Sequence, residues 1–143
     1  MADSPDLQGQ LIALIRAFGL HRPEQTPCGQ PVTVAEAHAL MELTEGQLLS
    51  QNELAMRLSL EKSTVSRLVK ILERRGWLGR SRSNADRRVM QLMLTKAGRQ
   101  AADKLATARR DKFDRVLSTI PEDQRKTVID SLKVLVEAIH ESA

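Results

Sequence analysis

Three features of the sequence predict a mainly α-helical protein that carries one small β-hairpin. Apolar residues recur at helical spacing at both ends of the chain. Two shorter helical segments in the middle are separated by only Ser59, Leu60 and Glu61. Beyond them, an alternating apolar strand ending at Leu94 follows a turn-forming cluster at Ser83, Asn84, Ala85 and Asp86.

The first helix is marked by Leu7, Leu11, Leu14, Ile15 and Phe18, which fall on one face at helical period. Between His21 and Pro31 the periodicity stops, because Pro23, Pro27, Gly29 and Pro31 break regular structure. A helix is expected to restart near Thr33. Ser50 followed by Glu53 has the spacing of a capping box, in which the hydroxyl and the carboxylate each satisfy a backbone N–H at the helix start. Leu54, Ala55 and Leu58 then form the buried stripe of that helix. The break at 59–61 leaves room only for a tight turn, so a second helix resumes near Lys62 or Ser63, the spacing of a helix-turn-helix.

On this second helix Val65, Leu68, Val69 and Leu72 form an apolar face, and the other face carries Lys62, Ser63, Thr64, Ser66, Arg67, Lys70 and Arg74. Short hydroxyl side chains at its first turn permit close approach of the backbone to a nucleic-acid duplex. Arg67 has the planar fork that bonds guanine in the major groove, whereas Lys70 and Arg74, farther along, suit phosphates. Arg74, Arg75 and Gly76 give the cation-then-glycine order of a helix C-terminus. Trp77 and Leu78 open a strand bearing Arg80 and Arg82, and Met90, Leu92 and Leu94 alternate on its return. A hairpin tipped with arginines suits the narrow minor groove; its alternative is an edge hairpin guarded by charge against aggregation.

Charge is concentrated in this region. Between Arg57 and Arg88, lysines and arginines at 57, 62, 67, 70, 74, 75, 80, 82, 87 and 88 oppose only Glu61, Glu73 and Asp86, a net +7, whereas the whole chain is +4. Such a segment is the electrostatic footprint of polyanion binding, since each neutralised phosphate releases condensed counterions.

Taken together, Leu54-Ala55-Met56-Arg57-Leu58, Lys62-Ser63-Thr64-Val65-Ser66-Arg67-Leu68-Val69, Arg74-Arg75-Gly76-Trp77-Leu78 and Asp86-Arg87-Arg88 with Leu94-Thr95 resemble the MarR family of bacterial winged-helix transcriptional regulators. The resemblance implies a mainly α fold: a winged helix-turn-helix with a small β-hairpin wing, and a helical dimerisation region formed by the N- and C-terminal helices. It further implies that Arg88 enters the minor groove, oriented by an ion pair with Asp86, that Arg87 lies near phosphates, and that Ser63, Thr64, Ser66 and Arg67 face the major groove. Small ligands are expected in a cleft between the dimer interface and the DNA-binding lobe.

The flanking sequence agrees with a dimer. Thr95 can cap a helix with apolar residues at Ala97, Ala101, Leu105, Ala108, Phe113 and Val116, and Pro121 suits the first turn of a further helix. There Val128, Leu132, Leu135 and Ile139 repeat at helical spacing, widened by Ile129 and Val136. With Leu7, Leu11, Leu14 and Phe18, these faces are more apolar than a small winged domain can cover. A symmetric dimer buries them and sets two reading helices about 34 Å apart, selecting a pseudo-palindromic duplex; packing into an ordinary monomeric core is the alternative. The expected organisation is an N-terminal dimerisation helix and linker at 1–32, a DNA-binding lobe at 33–95 and C-terminal dimerisation helices at 96–143, all in one compact domain.

The function expected is that of a homodimeric, effector-released repressor, with an architectural or adaptor winged-helix protein as the alternative. At 143 residues, 41% hydrophobic and 28% charged, the composition suits one domain, and 2% aromatic residues leave an aliphatic core. No run approaches the ~20 apolar residues of a membrane span, and the N-terminus lacks a basic leader region, so a cytoplasmic protein without a membrane partner is expected. The single cysteine, Cys28, allows no internal disulfide and raises the possibility of a redox switch. Cys28, Glu36, His38 and Glu42 cluster in sequence but fall short of the ligand set of a structural zinc site, and no metal or other cofactor is expected. Neither an activated nucleophile, a phosphate loop nor a catalytic carboxylate pair is evident, which argues against an enzyme.

Overall fold

The structure is a computed structural model that describes residues 1–143 apart from 23, 24, 27, 28 and 45–47. In chain order its elements are α1 (Ser4–Phe18), α2 (Val34–Leu43), β1 (Leu49–Ser50), α3 (Gln51–Leu58), α4 (Lys62–Arg74), β2 (Leu78–Arg82), β3 (Met90–Leu94), α5 (Lys96–Thr119) and α6 (Glu122–Ser142). Two compact units divide the chain, Met1–Ala108 and Arg109–Ala143.

Local chemistry fixes the helix boundaries of the first unit. Ser50 and Glu53 make the expected capping box, with Glu53 N donating to Ser50 Oγ at 3.1 Å and Ser50 N to Glu53 Oε1 at 3.1 Å. Thr33 and Glu36 build a second box at the start of α2. The turn between α3 and α4 closes when Leu60 N bonds Ala55 O at 3.1 Å, with Ser59 in the left-handed region at φ 55°. α4 ends in the same way: Gly76 (φ 78°) takes the left-handed position while Trp77 N reaches Leu72 O at 3.1 Å.

The core lies entirely in this unit among the described residues. Leu40 of α2, Leu49 of β1, Leu54 of α3, Val65, Val69 and Leu72 of α4 and Leu92 of β3 are essentially inaccessible to solvent. Each such side chain contributes about 1.5–3 kcal/mol by leaving water. The expected faces of α3 and α4 are therefore the buried ones, although Leu58 is only half-buried.

Three expectations need correction. The hairpin is not alone, because β1 adds a third antiparallel strand in the order β1-β3-β2, pairing Leu49 with Leu92. Two residues are too few to show alternation in the sequence. On α5 the buried face runs through Gly98, Ala102 and Leu105, whereas Ala97 is exposed. Gly98 was invisible to an apolar-residue pattern because what it supplies is space. Pro121 is the N-cap of α6, one residue before its first turn.

The junction between the sheet and α5 is tight. Thr95 Oγ1 accepts from Gly98 N at 3.0 Å and donates to Gly76 O at 2.6 Å, while Thr95 N bonds Trp77 O at 3.0 Å. A Cβ at Gly98 would collide with the Trp77 carbonyl oxygen.

The remaining helical surface is different in kind. α1 and α6 have no buried residue. Leu7 and Leu14 are exposed, Leu11 and Phe18 half-buried; in the second unit Val128, Leu132 and Ile139 are exposed and Leu135 half-buried. No helix among the described residues is long and apolar enough to cross a membrane.

Gly98→Ala should lower the unfolding free energy by about 1–3 kcal/mol through overpacking against Trp77, measured by urea denaturation. Gly9→Ala, in α1 where an added methyl meets nothing within 4 Å beyond its chain neighbours and its own helix backbone, should instead raise it by up to about 1 kcal/mol. Equal effects at the two positions would contradict the junction geometry.

Candidate nucleic-acid interface

Packing of Val65, Leu68, Val69 and Leu72 into the core turns the opposite face of α4 outward. Lys62, Ser63, Arg67, Lys70 and Arg74 are exposed there, with Thr64 and Ser66 half-buried among them. The N-cap residue Glu61 makes no side-chain capping bond to this helix, and its first turn contains no acid. The positive end of the helix dipole is thus presented beside the hydroxyls, an arrangement suited to an oxyanion.

The loop joining β2 to β3 is ordered by its own polar groups. Ser83, buried, accepts through Oγ from Ala85 N at 3.1 Å and Asp86 N at 3.3 Å, and its N–H donates to Val89 O at 2.9 Å. Arg82 reaches across the loop, donating from Nη1 to Arg87 O at 2.8 Å. At the tip, Arg88 forms a two-pronged pair with Asp86, Nε to Oδ1 at 3.1 Å and Nη2 to Oδ2 at 3.2 Å, and the Arg88 backbone N–H also donates to Oδ1 at 3.0 Å. The Arg88 side chain is nevertheless 92% exposed. Asp86 therefore fixes the direction of a cation that stays in water, and Arg87 stands exposed beside it.

Several cations counted in the basic segment are engaged by acids. Arg57 pairs with Glu42 at 3.4 Å, Arg75 with Glu36 at 2.9 Å and Arg80 with Glu73 at 2.7 Å. The Arg80–Glu73 pair ties β2 to α4, so Arg80 acts as a brace between the two. Arg80 and Arg82 fall on one face of β2, both exposed, and each also bonds to neighbouring structure. Ser83, read from the sequence as part of a turn-forming cluster, is the residue that organises the loop, since its hydroxyl accepts from N–H groups two and three residues on.

Glu36 and Glu42, weighed above as metal ligands, are thus occupied by other partners; His38 is exposed on α2. Cys28 lies outside the described residues. Also in the first unit is a cavity of about 590 Å³, lined by Pro31, Val32, Trp77, Ala101 and Leu105 together with polar residues that include Asp103 and Lys104.

The side-chain hydrogen bond from Arg88, then its backbone hydrogen bond, hold the Asp86 carboxyl below the usual carboxylate range. Because the folded-state value is depressed, the pair is intact above the ordinary Asp range near ~3.9 and is lost only as pH falls through the lower folded value. A carbon-detected NMR titration of Asp86 should therefore show a midpoint below ~3.9 that rises in Arg88→Ala. An unchanged midpoint would show that the guanidinium does not hold the carboxylate in solution.

Residues 32–90, which contain the buried helices and most of this surface, match the family model described as MarR family. The chain is 30% identical over 95 residues, 66% of its length, to the HTH-type transcriptional repressor MdtR of Bacillus subtilis (strain 168). The matched stretch spans 61% of the length of the curated relatives. In overall structure the chain is similar to Streptococcus pneumoniae FabT in complex with DNA, with a TM-score of 0.72 at 19% identity, covering 99% of this chain and 96% of that one. It is likewise similar to the PcaV transcriptional regulator from Streptomyces coelicolor in complex with its natural ligand, with a TM-score of 0.71 at 22% identity, covering 96% and 95% of the two chains. At such identities the similarity speaks for the winged-helix fold. Residues 32–90 are thus similar to the MarR family model, and the chain shares the winged-helix fold of these solved structures.

Proposed function

We propose that the protein is a sequence-specific, double-stranded-DNA-binding transcriptional regulator, a homodimer that occludes promoter DNA as a repressor and is released by a small-molecule effector. The observation that carries this reading is the pairing of two outward cationic elements on one compact unit: the hydroxyl- and arginine-bearing first turns of α4, and the wing tip where Asp86 aims Arg88. In this reading Ser63, Thr64, Ser66 and Arg67 meet base edges in the major groove, Lys62, Lys70, Arg74 and Arg87 meet phosphates, and Arg88 enters the minor groove. Arg82 serves the same interface by holding the wing loop closed.

Dimerisation is supported by the apolar surface left open on α1 and α6, in the regions 1–32 and 96–143. An effector is supported by the cavity beside Trp77. It relieves repression only by binding the non-DNA-binding arrangement more tightly, through a coupling of about 1–3 kcal/mol. That MdtR is named a repressor, FabT was solved with DNA and PcaV with its ligand supports the same reading. The MarR family, whose model residues 32–90 match, is one of transcription factors, which supports a regulator over an enzyme.

Selection from a random duplex library should recover a pseudo-palindrome bound at least about a thousandfold more tightly than random sequence. A flat sequence response would instead indicate an architectural protein. On the recovered site, Arg67→Ala should relax base preference by about 1–3 kcal/mol at one position per half-site, and Arg88→Ala should weaken binding through loss of the minor-groove contact. Leu132→Arg, at a side chain already 45% exposed in the single chain, should leave the monomer folded but abolish dimers in sedimentation equilibrium and with them tight binding. A dimeric Leu132→Arg protein would move the interface elsewhere.

A further inference from the structure

Arg75 is the C-cap residue of α4, and its side chain does not follow the outward cations of that helix. Its Nε lies 2.9 Å from Glu36 Oε2, and its guanidinium carbon stands 4.9 Å from the centre of the Trp77 ring. Glu36 is almost wholly buried: its side chain is 4% exposed against 37% for Arg75. The other carboxylate oxygen, Oε1, accepts from Thr33 N at the start of α2. Among the described residues Oε2 has no aligned hydrogen bond, so the nearby guanidinium is what compensates its charge. A buried carboxylate without a compensating cation is strongly unfavourable, and a guanidinium over an indole face is attracted to the ring.

From this geometry we infer that Arg75 is a positioning residue for DNA recognition: clamped between Glu36 and Trp77, it latches the C-terminal end of α4 to the first turn of α2 and so sets the orientation in which α4 meets DNA. This rests on the proposed DNA-binding function and adds to it a residue that touches no nucleic acid. Trp77 is common to the latch and to the cavity wall, and its carbonyl is held by Thr95 at the start of α5. The opposing view is that Arg75, one more cation in a basic segment, contacts a phosphate directly.

The two views predict opposite signs at Glu36. If Arg75 meets a phosphate, Glu36→Gln removes a nearby negative charge and tightens binding. If Arg75 is a latch, Glu36→Gln loosens it and weakens binding to the selected duplex, by about fivefold or more. Arg75→Gln should weaken binding about tenfold while leaving the slope of log affinity against log salt unchanged, whereas loss of one phosphate contact reduces that slope by about 0.9. The double variant should bind no worse than the weaker single variant, because both changes open the same latch.

Glu36→Gln keeps an oxygen for the Thr33 cap and is the variant expected to fold fully; Arg75→Lys, which keeps charge but not the flat stacking surface, replaces Arg75→Gln should that fail to fold. Trp77 is the sole tryptophan, so its emission reads the latch without DNA and should change in both Glu36→Gln and Arg75→Gln. Equal or tighter duplex binding by Glu36→Gln, a salt slope lowered by about 0.9 in Arg75→Gln, or unaltered Trp77 emission in both variants would overturn the inference. Failure of the unmutated protein to retain any duplex would strike the DNA-binding function itself, a result distinct from each of these.

Discussion

The structure of the lobe that carries α4 and the sheet depends on how the end of α4 is fastened to the start of α5. The Gly76 and Trp77 carbonyls would otherwise be open acceptors beyond a finished helix. Thr95 fills both, one through its hydroxyl and one through its backbone, while the same hydroxyl caps α5. Gly98 allows the next turn of α5 to rest against the Trp77 backbone. Because β2 begins at Leu78 and β3 ends at Leu94, this contact also closes the base of the sheet, where those two residues pair. Three elements are thereby given one origin, and a displacement of the α5 N-terminus cannot leave α4 or the wing unmoved.

Electrostatics is divided between bracing and presentation. The arginines nearest the core, Arg75 and Arg80, are held by acids on neighbouring elements and serve to fix α4 against α2 and β2. Those at the rim of the lobe remain exposed, and even Arg88, paired with Asp86, keeps its side chain in solvent. Net charge along the sequence thus overstates the number of cations offered to a partner, while understating how well directed the offered ones are. A pre-aimed cation loses less conformational freedom on meeting a phosphate than a mobile one.

The middle of the chain was legible because its signals are local. The Ser50 and Glu53 box, the spacing of Val65, Leu68, Val69 and Leu72, and the Arg75-Gly76 ending each act within a few residues, and each is found where the sequence placed it. The features that escaped depend on partners distant in sequence. Leu49 is a strand residue because Leu92 lies beside it, Gly98 matters because of Trp77, and the buried carboxylate of Glu36 needs Arg75. At Arg82 the sequence shows a charge but not the Arg87 carbonyl to which it donates. The Thr33 and Glu36 spacing, by contrast, was available to reading and matches the box found at Ser50.

The central proposal is that α4 and the wing engage one duplex together, as parts of a single compact unit. Amide NMR of the labelled protein titrated with its selected duplex addresses this most directly. The account predicts that signals of Ser63, Thr64, Ser66 and Arg67 and those of Asp86, Arg87 and Arg88 shift in the same binding step, at the same concentration of DNA. Perturbation of one group without the other, or of neither while a different surface responds, would contradict it.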